Sequence, residues 1–548
     1  MTPPVSPPGG RDDVPPGGRD DVPPGGRDDA PSVGVPPAPP GGVPPASSVG
    51  VPPAPSGGVP PTPPEDDPPT PPVPPDRLPV GDGWVPAPRT GPVTFPYDGE
   101  EFARAPVGDP DLARRAVEHA AAVRPRVAKL ASRVRRQVLG GVAADLVDVA
   151  GPMEELLVRE TGKPRIDCRT EVRRAVATWQ AAADEVVHIH GETVPLDLLP
   201  SGDGMFGFWT RRPVGVVVGI AGFNYPMMLA SHKIAPALAA GCPVIVKPAP
   251  ATPLATLWLV HLVRERLTAA GAPAGAVQLV TGDSEVGRAL TTHPEVAAVS
   301  FTGSAAVGHR IARDAAPRKV VLELGSNAAL VVAADADLDA AADAVARGGY
   351  YASGQACIAV QRVIAVAEIA GELERRIAER LPGVVVGDPR EERTRVAALI
   401  DEAATERVLT WIDRARAAGA RLVAGGTRVG RCVAPTLLAE VPDGQPAWDE
   451  EIFGPVVALR TVPDLEAAYD LVNAGRYGLH AAVFTRGLDA AFRALDVLDV
   501  GGVVINEMPG YRSDVAPYGG VKDSGLGREG PRFAIEELTV TRMAVIRP

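Results

Sequence analysis

Between residues 214 and 322, short apolar, β-branched runs alternate with helical stretches, and nothing else in the chain limits the fold so strongly. Residues 214–220 (Val-Gly-Val-Val-Val-Gly-Ile) precede a helix opened by Pro226, at a first-turn position where the missing N–H costs nothing. Pro243-Val244-Ile245-Val246 precedes a helix over 252–270, and 277–280 leads into 284–291. Residues 296–301 lead into 307–315, and Val320-Val321-Leu322 closes the series. Strands apolar on both sides need cover on both sides, which predicts an α/β fold with a parallel sheet between helical layers. Such sheets bind ligands beyond the carboxyl ends of their strands, so this half is the natural nucleotide domain.

Composition narrows the function. A chain of 548 residues exceeds one simple domain. Its 67 acids against 55 bases, a net charge of −12, argue against a nucleic-acid partner, which would call for a basic footprint. Cys168, Cys242, Cys357 and Cys432 are far apart, with no CxxC pair and no neighbouring His run. That excludes a disulfide framework and an ordinary zinc site, so no metal is expected, and it fits a reducing cytosol. The start lacks a charged n-region and an apolar h-region, and the run 234–246 is short of the roughly 18–20 residues of a membrane span. A soluble, cytoplasmic protein without a membrane partner is expected.

The first 88 residues differ from the rest. Pro-Pro-Gly-Gly-Arg-Asp-Asp begins at Pro7, Pro15 and Pro23, and Ser-Val-Gly-Val-Pro-Pro-Ala-Pro recurs at Ser32 and Ser48. Gly does not fall at every third position, so the repeat is not collagen-like. Without aromatics or long apolar residues before Leu78, nothing offsets the entropy of ordering, and a disordered Pro/Gly-rich tail with polyproline-II character is expected over 1–88. Beyond it, helices are read over 109–123, 134–149 and 153–159, and a protruding hairpin near 191–213 with a turn at Gly202-Asp203-Gly204.

Candidate chemistry collects at strand ends and in one loop. The loop is 350–362, in which Cys357 sits among Ala352, Ser353, Gly354, Gln355 and Ala356 rather than in an apolar helical face. A free cysteine is more often a small buried hydrophobe than a nucleophile. Asn224 follows one strand and reads equally as a helix cap; Lys247 ends another and reads equally as a solvated terminus. Glu323 ends a third, where an apolar setting would raise its pKa and suit it to general-base work, or where it is a paired structural acid. Gly303-Ser304 begins a helix whose N–H groups can hold a pyrophosphate, although the Gly-x-Gly-x-x-Gly fingerprint is absent and a plain turn explains it as well.

These segments occur in order with Glu450-Glu451-Ile452-Phe453-Gly454-Pro455, with Asn473 and Tyr477-Gly478-Leu479, and with Pro517-Tyr518-Gly519-Gly520-Val521-Lys522-Asp523-Ser524-Gly525-Leu526-Gly527-Arg528-Glu529-Gly530. Together they resemble the aldehyde dehydrogenase superfamily from about residue 90 to the end. The Glu323-Leu324-Gly325-Ser326-Asn327 variant and the Gly-Gly-Val-Lys-Asp-Ser-Gly run are similar to the lactaldehyde-type branch. The resemblance implies NAD(P)-dependent oxidation of a small-molecule aldehyde to a carboxylic acid. In that pattern Cys357 is the nucleophile that forms a thiohemiacetal and then a thioester, Asn224 an oxyanion donor with the Cys357 N–H, and Glu323 the base that activates water. Lys247 and Glu451 hold the riboses, Phe453 packs near the nicotinamide ribose, and Gly303 and Ser304 meet the pyrophosphate. Tyr225, Leu229, His232, Ile358 and Tyr518 are expected to line the substrate pocket.

The implied architecture is a Rossmann-type NAD(P) domain over 89–190 and 214–324, and an α/β catalytic domain over 325–538. A β oligomerisation arm would join 191–213 to 539–548, and a homodimer or homotetramer follows from the same resemblance. Two departures matter. Pro250 stands where NAD-preferring members carry a ribose-binding Glu, so acceptance of both NAD and NADP is expected. His232 stands where semialdehyde enzymes often carry an Arg; Arg512, in the loop before Tyr518, either supplies that charge instead or, as the favoured reading of a loop arginine, is solvated. Two other functions compete: a CoA-acylating aldehyde dehydrogenase, against which Glu323 argues, and a non-catalytic member acting through its Pro-rich tail, against which the intact Cys357, Glu323 and Asn224 argue.

Overall fold

The computed structural model describes residues 70–548; the expectation of a disordered tail lies outside the described residues for 1–69. Packing begins before the composition break at 88. Leu78 and Val80 are buried, Arg77–Leu78 pairs with Val85–Pro86, and the Arg264 guanidinium donates to the Gly81 and Gly83 carbonyls. Leu78 is the first long apolar side chain after Met1, and a few such contacts suffice to fix a segment otherwise rich in Pro and Gly.

The alternating segments form a six-stranded sheet in the order Gly525–Leu526, Lys319–Glu323, Val296–Thr302, Val216–Ile220, Val244–Lys247, Val277–Leu279. All pairs are parallel except the edge strand Gly525–Leu526. Val216–Ile220, first of the parallel strands in the chain, lies in the middle, so the winding reverses beside it and opens a crevice at its carboxyl end. Asn224 follows this strand, and Gly303-Ser304 follows its neighbour Val296–Thr302. Helix Pro226–Ala240, buried along its whole length, packs against this sheet.

A second sheet of seven strands runs Arg421–Ala424, Thr436–Ala439, Val456–Val462, Arg362–Val366, Ala329–Val332, His480–Phe484, Gly502–Ile505, again parallel but for one edge strand. Each sheet carries its own apolar core. Helix Arg165–Glu185, which the reading of the sequence passed over, belongs to the first core and packs on helices Ser132–Asp148, Ala150–Thr161 and Pro226–Ala240. Thr539–Ile546 pairs antiparallel with Phe206–Pro213 along its full length, from Thr539 opposite Pro213 to Ile546 opposite Phe206, and Thr193–Val194 completes a three-stranded sheet. Among the described residues, no helix is long and apolar enough to cross a membrane.

Candidate active site

The Cys357 loop is held in an unusual backbone shape. Ala352, Ser353 and Gly354 are consecutively left-handed, with φ of 48°, 57° and 73°. For residues with a Cβ this costs energy that surrounding contacts must offset. Asp167 accepts the Ala352 N–H at 2.9 Å, Ser353 Oγ exchanges hydrogen bonds with the Ala397 backbone, and Gln355 Oε1 accepts the Ile400 N–H at 3.0 Å. Gly354 is obligatory here for a second reason: a Cβ would sit 2.0 Å from the Gly454 carbonyl oxygen. Gln355, whose amide suggested a polar setting for the thiol, is buried and serves this anchoring instead.

Asn224 Nδ2 donates to the Gln355 carbonyl at 2.8 Å, which holds the amide against the loop with one N–H left over. The following helix Pro226–Ala240 has no side-chain cap of its own; Glu171 accepts the Met227 and Met228 N–H groups at 3.0 and 3.1 Å. Glu171 also pairs with Lys163, whose ammonium lies 3.7 Å from the centre of the Tyr225 ring. Asp167, Glu171 and Arg174 therefore act from one face of helix Arg165–Glu185. Their i, i+4, i+7 spacing was the available signal, a charged stripe on what turns out to be a buried face.

The thiol opens into a cavity of about 490 Å³. Asn224, Tyr225, Leu229, Glu323, Ile358, Glu451, Phe453 and Tyr518 all line it with Cys357, so the structure brings these residues together. Tyr518 Oη lies 3.1 Å from Cys357 Sγ. Burial pushes the thiol up to about 11, while this hydrogen bond works in the opposite direction. Glu323 is 3 % exposed, and neither carboxyl oxygen has a hydrogen-bond partner among the described residues. Burial, with the nearby Glu529 charge second, raises its carboxyl well above the ordinary range.

His232 is a correction. It is buried behind the cavity wall, with Nδ1 3.2 Å from Glu529 Oε2 and Nε2 3.4 Å from Asp514 Oδ1. A histidine whose ring nitrogens face two carboxylates inside the protein is held in that layer by polar contacts, where an apolar wall residue would turn to the cavity. Arg512 is a second correction: rather than solvated, its side chain is 6 % exposed, and it lines the cavity. Its guanidinium lies 3.6 Å from the centre of the Tyr518 ring. Glu529, read in the sequence only as part of the 517–530 motif, accepts from Lys233 Nζ at 3.0 Å, and Lys233 donates further to Thr302 Oγ1 at 2.7 Å. The backbones of Glu529 and Tyr518 pair with each other, which fixes the tyrosine over the thiol.

A second cavity of about 640 Å³ lies at the strand ends and shares Gly222, Phe223, Thr302, Gly303 and Ser304 with the first. Lys247, Pro250, Arg288 and Arg310 line it. Lys247 is 6 % exposed, its ammonium bonded to the adjacent Pro248 carbonyl, and burial draws its pKa down to about 8. Ser304 stands at the N-cap of helix Ala305–Ala315 without a capping bond, so the first-turn N–H groups have no side-chain acceptor there. Open helix donors and a buried ammonium in one elongated cleft fit a dinucleotide. Glu451 and Phe453 stand where the cleft meets the thiol cavity. Glu451 accepts the Ser326 N–H at 3.0 Å and packs so closely on Gly325 that a Cβ there would lie 2.5 Å from its Oε2. Phe453 meets Phe223 edge-to-face at 5.7 Å.

Comparison with known proteins accords with this arrangement. The profile of the aldehyde dehydrogenase family matches residues 84–544. The 3-sulfolactaldehyde dehydrogenase of Priestia aryabhattai is 40 % identical over 413 residues, 75 % of this chain and 86 % of that protein. The lactaldehyde dehydrogenase of Methanococcus aeolicus is 33 % identical over 455 residues, 83 % of this chain and 96 % of that one. Among solved structures, aldehyde dehydrogenase 21 of Physcomitrella patens, in complex with its product succinate, superposes with a TM-score of 0.83 at 34 % identity, covering 87 % of this chain and 99 % of that one. Glyceraldehyde-3-phosphate dehydrogenase of Methanocaldococcus jannaschii, complexed with NADP, does so with a TM-score of 0.81 at 32 % identity, covering 84 % and 100 %.

Proposed function

The chain belongs to the aldehyde dehydrogenase family and oxidises aldehydes with NAD or NADP, and within that activity we propose that Cys357, Asn224 and Glu323 carry the chemistry. The observation that carries the proposal is the shared cavity: a thiol, a side-chain amide and a carboxyl of raised pKa line one space that opens onto a dinucleotide-sized cleft.

In the first step the Cys357 thiolate adds to the aldehyde carbon. The carbonyl oxygen becomes an oxyanion, which the free Asn224 N–H and the Cys357 backbone N–H stabilise. With NAD or NADP held in the cleft, the nicotinamide would supply the hydride acceptor for the thiohemiacetal carbon, which would leave Cys357 as a thioester. Glu323 then takes a proton from water as the water oxygen adds to the thioester carbon. Collapse releases the carboxylic acid and returns the thiolate. Burial raises both Cys357 and Glu323, which makes the thiol harder to ionise and the Glu323 carboxylate a stronger base. The thiol leans on the Tyr518 hydrogen bond to ionise, and the unpartnered Glu323 carboxyl, in its deprotonated form, is the proton acceptor that lines the same cavity.

Lys247, Gly303 and Ser304 bind the dinucleotide from the cleft, Glu451 and Phe453 from its junction with the thiol cavity. Pro250 leaves no carboxylate to repel a 2′-phosphate, and Arg288 and Arg310 stand in the same cleft, so both coenzymes are accepted. The first sheet with 89–190 is the coenzyme domain and the second the catalytic domain. The three-stranded sheet is an oligomerisation arm, supported by exposed Phe206, Val540, Met543, Val545 and Ile546. A cytoplasmic location is supported by four unpaired cysteines. The named relatives point to a short, polar aldehyde. An aldehyde panel followed by NAD(P)H absorbance tests the reading, with free acid as the expected product. Acyl-CoA formed only with added CoA would replace it by the acylating reaction, and inertness toward every aldehyde with both coenzymes would refute it.

A further inference from the structure

We propose that Asp167 is a positioning residue for the oxyanion step. Its carboxylate, with that of Glu171 one helical turn on, sets the separation of the two oxyanion donors, the Cys357 backbone N–H and the Asn224 amide. This role rests on the reading of Cys357 as the nucleophile and Asn224 as its companion donor, and it supplies what aligns them.

The two donors lie far apart in the chain, and each is tied back to the same helix. Asp167 Oδ2 accepts the Ala352 N–H at 2.9 Å. The Ala352 carbonyl accepts the Gln355 N–H at 3.0 Å, and the Gln355 carbonyl accepts Asn224 Nδ2 at 2.8 Å. Cys357 follows two residues later. On the other side, Glu171 accepts the Met227 and Met228 N–H groups at 3.0 and 3.1 Å, just past Asn224. Asp167 and Glu171 stand one turn apart on helix Arg165–Glu185, so one rigid face carries both attachments. An oxyanion needs both donors within hydrogen-bond reach of one atom, and losing either attachment lets the two segments drift apart.

The loop does not keep its shape unaided. Ala352 and Ser353, both with a Cβ, are left-handed in succession, and such a backbone persists only where contacts over-determine it. Ser353 and Gln355 anchor the loop to the 397–400 segment through neutral groups. Asp167 adds a charged anchor, and a carboxylate accepts an N–H more strongly than a neutral oxygen does. Burial pushes the Asp167 carboxyl up to about 6, while the Ala352 N–H, Lys163 and Arg395 work in the opposite direction. Cys168, Tyr225 and Tyr351 also face it, and burial raises all three, so they stay neutral as the medium turns acidic. The charge that changes at this anchor near pH 6 is therefore that of Asp167.

The test follows two reactions of one thiol in the full chain. Addition to an aldehyde creates an oxyanion and is read as the burst rate of reduced coenzyme, with lactaldehyde or propanal and saturating NAD. Alkylation by iodoacetamide creates none and is read by peptide mass spectrometry on Cys357. Asp167→Ala should slow the burst at least roughly tenfold, part of the loss of a whole donor, and leave alkylation within about threefold. Equal loss in both reactions, or an unchanged burst, overturns the positioning role. Asp167→Asn keeps a neutral acceptor and should slow the burst roughly threefold at about pH 8. That gap should close below about pH 6, where Asp167 of the parent takes up its own proton. Titration of Glu323 and Glu451 is common to both proteins and cancels in their ratio. A ratio constant from about pH 8 to about pH 5 overturns the role, and this comparison stands even where the alanine variant does not fold. A burst that survives in Cys357→Ala overturns the nucleophile assignment and the positioning role with it. A burst absent from Cys357→Ala yet undiminished in Asp167→Ala overturns the positioning role alone.

Discussion

The cleft at the strand ends and the cavity around Cys357 share a wall, yet they are built differently. The cleft is made by backbone: four parallel strands end at it, a helix starts in it, and its one buried ammonium, Lys247, leans on a neighbouring carbonyl. The cavity is made by side chains borrowed from distant segments. Arg174 comes from a helix, Asn224 from a strand end, Cys357 from a left-handed loop, and Arg512, Tyr518 and Glu529 from near the C-terminus. The first is a site for holding a ligand by shape and open N–H donors. The second is a site where burial and close charges move protonation states, which is where proton and acyl chemistry is done.

Experiments that break the cavity should therefore cost far more than those that alter the cleft. Cys357→Ala should abolish turnover with every aldehyde while leaving the melting temperature within a few degrees, because the loop is held by Asp167, Ser353 and Gln355 rather than by the thiol. Residual oxidation by that variant would place the nucleophile elsewhere. Asn224→Ala should lower kcat by roughly 10²–10³, the usual loss for one oxyanion donor. An effect below tenfold would reduce Asn224 to a prop for the Gln355 carbonyl.

Tyr518→Phe separates the two roles of the tyrosine. Removing the hydroxyl takes away a hydrogen bond that lowers the thiol pKa, so the pH at which alkylation of Cys357 reaches half its maximum should move upward from about 11. The thiolate is the reactive form, so alkylation at fixed neutral pH should slow in proportion. An unchanged profile would mean that the hydroxyl is aimed at substrate instead. In the cleft, Pro250→Glu should leave NAD kinetics near those of the parent and penalise NADP by roughly ten- to a hundredfold through like-charge repulsion. Equal use of both coenzymes by the variant would move the 2′-phosphate away from residue 250.

The same contrast explains what could be read from the chain alone. Strand–helix alternation exposes the cleft, because apolar runs and their end residues are local, and Lys247, Gly303 and Ser304 fall where the alternation puts them. The three-stranded sheet is partly legible too, since the hairpin near 191–213 breaks at its Gly-Asp-Gly turn and the last strand pairs with it. The cavity is only half legible. Cys357, Asn224 and Glu323 are found through ordered motifs, but Arg512 reads as a loop arginine and Arg174 lies in a helix that was passed over, because nothing local says that both are buried. His232 was placed one layer too far forward for the same reason: its two carboxylates, Asp514 and Glu529, lie nearly three hundred residues away.

The central claim, that Cys357 takes the acyl group and Glu323 releases it, has a direct measurement in Glu323→Gln mixed rapidly with aldehyde and coenzyme. A burst of reduced coenzyme equal to the active sites is expected, followed by a stall, with the acyl mass found on the peptide that carries Cys357. Steady turnover at the parent rate, or an acyl group on any other residue, would contradict it.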